Sequence, residues 1–128
     1  MPNLKILLAG RPRAMRQLVR TIIAQPDMEI VGSRLDPMEV LLTARRREAD
    51  VVIIPLIDSE EPGLVSHLFA ELPDLTVLML SSTGDAAYVV QRCPWRRKLF
   101  NLSEDHIVRA LRRLTKEPCG PIDDLDER

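Results

Sequence analysis

Aromatic side chains are scarce in this sequence: tryptophan, tyrosine and phenylalanine together make up 3% of its 128 residues. A core built from this composition must be mainly aliphatic. The two cysteines, Cys93 and Cys119, are too few and too far apart to indicate a disulfide framework or a metal site. They favour a reducing, cytoplasmic location.

Long apolar runs and a strong charge of one sign are also missing. Only five consecutive apolar or small residues lie between Lys5 and Arg11, far fewer than a signal peptide or a membrane span requires, so neither export nor membrane insertion is expected. The formal net charge of -1 gives no overall attraction to nucleic acid or to an anionic membrane. No Ser/His/Asp or Cys/His grouping suggests an enzyme.

The residues that are present are those of an ordinary globular domain, with 45% hydrophobic and 29% charged side chains. One domain is predicted over residues 1–115. Proline, glycine and then acidic residues dominate residues 116–128, so we expect a linker and a mobile acidic tail there.

Short apolar runs alternate with stretches of helical spacing, which is the pattern of βα units around a parallel sheet. Strands are predicted at residues 6–9, 28–31, 51–54, 76–80 and 98–102. Five helices follow them; the fourth is predicted from the apolar spacing of Ala86, Val89, Val90 and Cys93 and ends before Pro94. Asp36 and Ser103 are predicted N-caps of the second and fifth helices.

Five such units predict an α/β fold of the flavodoxin-like, doubly wound type, with a five-stranded parallel sheet in the order 2-1-3-4-5 and five helices. Right-handed crossovers would place the first and fifth helices on one face of the sheet and the other three on the opposite face.

Several strings, in order and with nearly gapless spacing, resemble the receiver domains of bacterial response regulators, the CheY-like family. They lie at residues 5–8, 25–32, 50–54, 72–81, 84–85 and 103–111. The resemblance covers residues 5 to about 114. It implies a cytoplasmic two-component signalling domain.

Receivers transfer a phosphoryl group with five side chains at the carboxyl ends of the strands. Counting through the strings places their acidic, Mg²⁺-binding pair on Ala9 and Gly10 and the phosphorylated aspartate on Pro55. The hydroxyl position falls on Ser81 and the lysine position on Phe100, with Lys98 two residues away on the same side of the strand. The resemblance therefore implies a degenerate receiver without phosphorylation, metal or cofactor, and without enzymatic activity.

Asp58 offers an alternative phosphoacceptor, three residues after Pro55. The odd offset reverses the strand face or places the acid in the loop, and the acidic pair would still be missing. We interpret Asp58, Glu60 and Glu61 as a solvated acidic loop.

Two groups of residues are candidates for an interface. Trp95, Arg96, Arg97 and Lys98 combine the only tryptophan with three cations, and in receivers this side of the domain is the usual partner and dimer surface. Arginines also recur at helical spacing: Arg13, Arg16 and Arg20 on the first helix, and Arg109, Arg112, Arg113 with Lys116 on the last. These stripes would merge into one positive surface, which needs no function as a solvated face. The functional interpretation is a docking surface for an acidic partner or for the chain's own acidic tail.

The sequence thus predicts a phosphorylation-independent interaction domain whose partner is another protein, a further domain of the same chain or a second copy in a homodimer. Nucleic acid is not expected as a partner, because the net charge is slightly negative and the basic helices carry no stacking aromatics. The alternative is a sensor that binds an anionic small molecule near Gly10, Arg11 and Ser81.

Overall fold

The fold was determined as a computed structural model, which describes residues 3–10, 15–56, 63–81, 86–92, 97–100 and 102–120. Within these ranges the chain forms six strands and four helices. In chain order they are β1 (Leu4–Ala9), α1 (Arg16–Ile23), β2 (Met28–Arg34), α2 (Pro37–Arg47), β3 (Val51–Leu56), α3 (Gly63–Glu71), β4 (Thr76–Ser81), β5 (Ala87–Val90), β6 (Arg97–Leu99) and α4 (Glu104–Lys116).

The strands form one sheet in the order β2-β1-β3-β4-β5-β6. The first four strands are parallel and have the predicted order. β5 is antiparallel to both of its neighbours, so the sheet is mixed. The predicted all-parallel, five-stranded sheet with five helices is therefore wrong in its second half.

The error lies in the fourth predicted helix, where the structure has β5. Ala87 and Val89 are both buried, with 0% and 1% of their surfaces exposed. They are two residues apart and lie on the same face of the strand. The segment Ala-Tyr-Val-Val is rich in residues that favour strands, and a short apolar run fits both a strand and a helix by spacing. The strand predicted at residues 98–102 is β6, shifted toward the amino terminus.

The two faces of the sheet carry separate aliphatic cores. One core packs α1 and α4 against the sheet, through residues such as Ile22, Leu78 and Leu111. The other packs α2 and α3, through residues such as Val40 and Leu68. The predicted placement of the first and last helices on a common face is confirmed.

Local signals at two helix starts also agree with the sequence. The Asp36 side chain accepts a hydrogen bond from the Glu39 backbone N–H at 3.2 Å, and Pro37 follows it as the first helical residue. The Ser103 hydroxyl accepts one from the His106 backbone N–H at 3.2 Å. Both predicted N-caps are confirmed.

The carboxyl-terminal region departs from expectation at Cys119, which is disulfide-bonded. The other cysteine of the chain, Cys93, lies outside the described residues, as does the tail at residues 121–128. The inference of a reducing location loses its main support, and a cytoplasmic location stays a prediction. None of the described helices is long and apolar enough to cross a membrane.

Candidate functional site

The five positions that the sequence resemblance assigns to the receiver site lie at one edge of the sheet. Pro55 of β3 pairs with Leu80 of β4, and Leu80 pairs with Ala87 of β5, which pairs with Leu99 of β6. The carboxyl ends of β1, β3, β4 and β6 therefore meet at this edge. We call Ala9, Gly10, Pro55, Ser81 and Phe100 the carboxyl-edge positions.

Gly10 and Pro55 are in close proximity at the centre of this edge. A Cβ atom built on Gly10 would lie 3.2 Å from Cγ and 3.3 Å from Cδ of Pro55. Gly10 has φ of 124°, a conformation that side chains other than glycine rarely adopt. Its backbone N–H donates to the Arg34 carbonyl at 2.8 Å, which fixes it beside β2. Ala9, just before it, is buried in the core on the α2 side.

The substitution Gly10→Ala should destabilise the domain by about 1–3 kcal/mol, because it adds backbone strain at positive φ and a tight contact with the proline ring. Urea unfolding followed by far-ultraviolet circular dichroism measures the loss. Adding Pro55→Ala to Gly10→Ala should recover only the part that comes from the ring contact. A Gly10→Ala variant as stable as the natural chain would contradict the geometry.

The Ser81 hydroxyl closes the connection between β4 and β5. Its oxygen accepts a hydrogen bond from the Ala86 backbone N–H at 3.0 Å, while the Ser81 backbone N–H donates to the Ala86 carbonyl at 2.9 Å. These two hydrogen bonds join the end of β4 to the residue before β5. The residue that matches a phosphoryl-contacting side chain therefore has a structural role here.

Phe100 lies at the outer end of the edge, directly after β6, and 72% of its surface is exposed. The Lys98 ammonium lies 5.9 Å from the centre of its ring, within the range of a cation–π contact. The two side chains therefore lie on the same side of the strand, as expected for residues two apart.

The carboxyl-edge positions contain no carboxylate, and hard cations such as Mg²⁺ require oxygen ligands. Among the described residues, no group of three or more His, Cys, Asp or Glu side chains could hold a metal ion. Asp58, Glu60 and Glu61, and the arginines Arg11 and Arg13, lie outside the described residues. The absence of a cofactor stays a prediction.

Of the candidate interface near β6, the structure describes Arg97 and Lys98, whereas Trp95 and Arg96 lie outside the described residues. Arg97 donates one hydrogen bond to the Gln91 side-chain carbonyl at 2.8 Å and another to the Gly120 carbonyl. Arg97 thus holds the carboxyl-terminal turn to the sheet. Lys98 is exposed.

The arginines of α4 have different environments. The Arg112 guanidinium binds both carboxylate oxygens of Asp27, at 2.7 and 2.9 Å, and donates to the Gln25 side chain at 2.8 Å. The Arg112 hydrogen bond lowers the pKa of the Asp27 carboxyl below its usual value. Arg112 thereby joins α4 to the turn before β2, whereas Arg109 is exposed and Arg113 half-buried.

Two features of the structure were not predicted from the sequence. One is Gln91, a buried amide that joins four groups at the ends of β4, α4 and β6. A lone glutamine carries no sequence signal of such a role. The other is an exposed apolar stripe on and before α2, formed by Leu35, Met38 and Leu42. Its i, i+3, i+7 spacing was visible, but the same spacing is typical of a buried face.

Comparison with known proteins supports the resemblance to response-regulator receivers. The chain is 25% identical over 118 residues to the chemotaxis protein CheY of Listeria monocytogenes, an alignment covering 88% of this chain and 99% of that protein. The CheY of Listeria innocua gives the same values. The solved response regulator domain of Thermotoga maritima CheB matches with 25% identity and a TM-score of 0.46, over 62% of this chain and 60% of that one. No family model matches the sequence.

Proposed function

We propose that this chain is a receiver-like signalling domain that binds a protein partner without control by phosphorylation. The observation that carries the proposal is the pair Gly10 and Pro55 at the carboxyl edge. A phosphorylatable receiver needs an aspartate at one of these positions and a metal-binding acid at the other. Glycine and proline side chains can do neither.

The geometry around this pair supports the same conclusion. The ring of Pro55 lies against Gly10, Ala9 is in the core, and the Ser81 oxygen accepts from the Ala86 backbone. A single substitution that introduced a carboxylate would therefore not recreate a metal site. We infer a signalling role from the similarity to CheY proteins. We infer the loss of phosphorylation from the residues at the carboxyl edge.

Support for protein binding comes from the outer end of the sheet. Phe100 exposes 72% of a large aromatic surface beside the exposed cation of Lys98, and the exposed Arg109 lies on α4. Aromatic and arginine side chains are enriched at interface hot spots. We propose that β6 and α4 contribute to the partner surface, together with Trp95 and Arg96 in the adjoining segment.

A sensor for an anionic small molecule near Gly10, Arg11 and Ser81 is the alternative. No observation favours it. The Ser81 oxygen is already engaged in a hydrogen bond to Ala86 N–H, and Arg11 lies outside the described residues.

Phosphorylation can be tested directly with acetyl phosphate and Mg²⁺. We expect the intact mass of the chain to stay unchanged under conditions that phosphorylate a CheY protein treated in parallel. The reason is that neither a nucleophilic carboxylate nor a metal-binding pair is present at the carboxyl edge. A gain of one phosphoryl group that disappears in the Asp58→Asn variant would show that the proposed loss of phosphorylation is wrong.

A further inference from the structure

Most of the large apolar side chains that the described part of the molecule exposes lie along one side of α2. The exposed fractions are 62% for Leu35, 59% for Met38 and 44% for Leu42. Leu35 precedes the helix, and the other two lie one turn apart on the same face of it. We call these three residues the α2 stripe. The remaining two exposed apolar residues, Ile23 and Phe100, lie singly on other elements.

The α2 stripe faces away from the rest of the domain. The opposite side of α2 buries Val40 and Ala44 in the core against the sheet. Arg45, two turns after Met38 and therefore in line with the stripe, forms an ion pair with Glu71 of α3 at 3.3 Å. Beneath α2, β2 is the edge strand of the sheet. None of the described elements covers the stripe, and exposed apolar lines of this kind mark interaction sites.

The charges along α2 are arranged so that the helix complements itself. Asp36 and Glu39 lie at its start, and Arg46 and Arg47 at its end. Glu39 and Arg46 are seven residues apart, about two turns, and therefore lie on the same flank of the stripe. Both are exposed and neither forms an ion pair within the described residues. Two antiparallel copies of α2 would place opposite charges beside each other at both ends.

We propose that the α2 stripe is the contact of a homodimer, in which a second copy of this chain docks antiparallel about a two-fold axis close to Leu42. Leu42 then packs against Leu42 of the second copy, and Glu39 of each chain pairs with Arg46 of the other. Such an isologous contact uses the same patch on both subunits. The antiparallel helix dipoles and both ion pairs favour this orientation over the parallel one.

The size of the patch predicts a reversible dimer. Stable interfaces bury about 800 Å² on each partner, more than three side chains on one helix provide. The monomer and dimer should therefore exchange with concentration. The proposal goes beyond the loss of phosphorylation and does not depend on it, since the stripe lies on a different element from the carboxyl edge.

Sedimentation velocity of the 128-residue chain over a concentration series tests the dimer. The natural chain should shift from monomer to dimer as its concentration rises. Leu42→Glu should weaken the association at least about tenfold, since it places two like charges at the centre of the contact. Ile23→Glu is the matched control, because it changes another exposed apolar residue, on α1 and away from the stripe, and should leave the dissociation constant unchanged.

A charge exchange tests the orientation. Glu39→Arg and Arg46→Glu should each weaken the dimer, because each places like charges together, and the double variant should recover the natural dissociation constant. Circular dichroism establishes that each variant is folded. A monomer at every concentration, a dimer unaffected by Leu42→Glu, or a double variant as weak as the single ones would overturn the proposal. Intact-mass results with acetyl phosphate are independent of all these outcomes.

Discussion

Replacing Gln91 with leucine should lower the free energy of unfolding by about 3–5 kcal/mol, a large effect for one polar side chain. Gln91 is 4% exposed and makes four hydrogen bonds. Its amide nitrogen donates to the Thr76 hydroxyl and the Leu114 carbonyl, each at 2.9 Å. Its amide oxygen accepts from Arg97 and from the Cys119 backbone N–H, each at 2.8 Å.

The cost is large because leucine fills a similar volume but satisfies none of these groups. A buried donor or acceptor left without a partner costs about 1–3 kcal/mol, and the Thr76 hydroxyl and the Leu114 carbonyl would both lose theirs. Urea unfolding followed by circular dichroism gives the change. Gln91→Glu separates the two halves of the network, since its oxygens can still accept from Arg97 but it no longer donates to Thr76 and Leu114.

Thr76→Val is the milder control, because it removes one of the four partners and keeps the side-chain volume. The expected order of stability is the natural chain, then Thr76→Val, then Gln91→Leu. If Gln91→Leu were as stable as Thr76→Val, the network would not hold the carboxyl-terminal turn to the sheet. Limited proteolysis after Lys116 should also accelerate in Gln91→Leu under reducing conditions, because the turn at residues 117–120 then lacks both the hydrogen bond from Cys119 to Gln91 and the disulfide bond of Cys119.

The first half of the fold was predictable because two independent signals agreed there. The runs at β1, β3 and β4 are continuously apolar, as in strands buried on both faces, and Asp36 and Pro37 mark the start of α2. In the second half the signals conflicted. The apolar residues between Ser81 and Pro94 fit a helix by spacing and a strand by composition, and the fold-level expectation of a βα unit decided the choice wrongly.

The candidate site was predictable in its placement and not in its contacts. Counting along the strands was enough to assign Gly10 and Pro55 to the same sheet edge. Nothing in the sequence revealed that the Ser81 oxygen accepts from Ala86 N–H, or that Arg112 binds Asp27, because both contacts join residues that only the folded chain brings together. Of the arginines on α4, Arg112 thus has a structural role, although their helical spacing suggested one continuous positive surface.

The assignment of β5 leads to a test on two adjacent alanines, Ala86 and Ala87. In the structure, Ala87 has 0% of its surface exposed and faces the core under α1 and α4, whereas Ala86, just before β5, is half-buried. A helix with the spacing of Ala86, Val89 and Val90 would reverse this, burying residue 86 and exposing residue 87. The two arrangements therefore predict opposite effects for the same substitution.

Ala87→Glu should lower the free energy of unfolding by about 4 kcal/mol or more, because it forces a larger, charged side chain into a close-packed aliphatic core. Ala86→Glu should change it by no more than about 1 kcal/mol, because the side chain can reach solvent and the backbone bonds to Ser81 stay intact. Urea unfolding of the pair gives both values. The opposite ranking would show that this segment is a helix, and it would restore the fifth helix that the sequence predicted between β4 and β6.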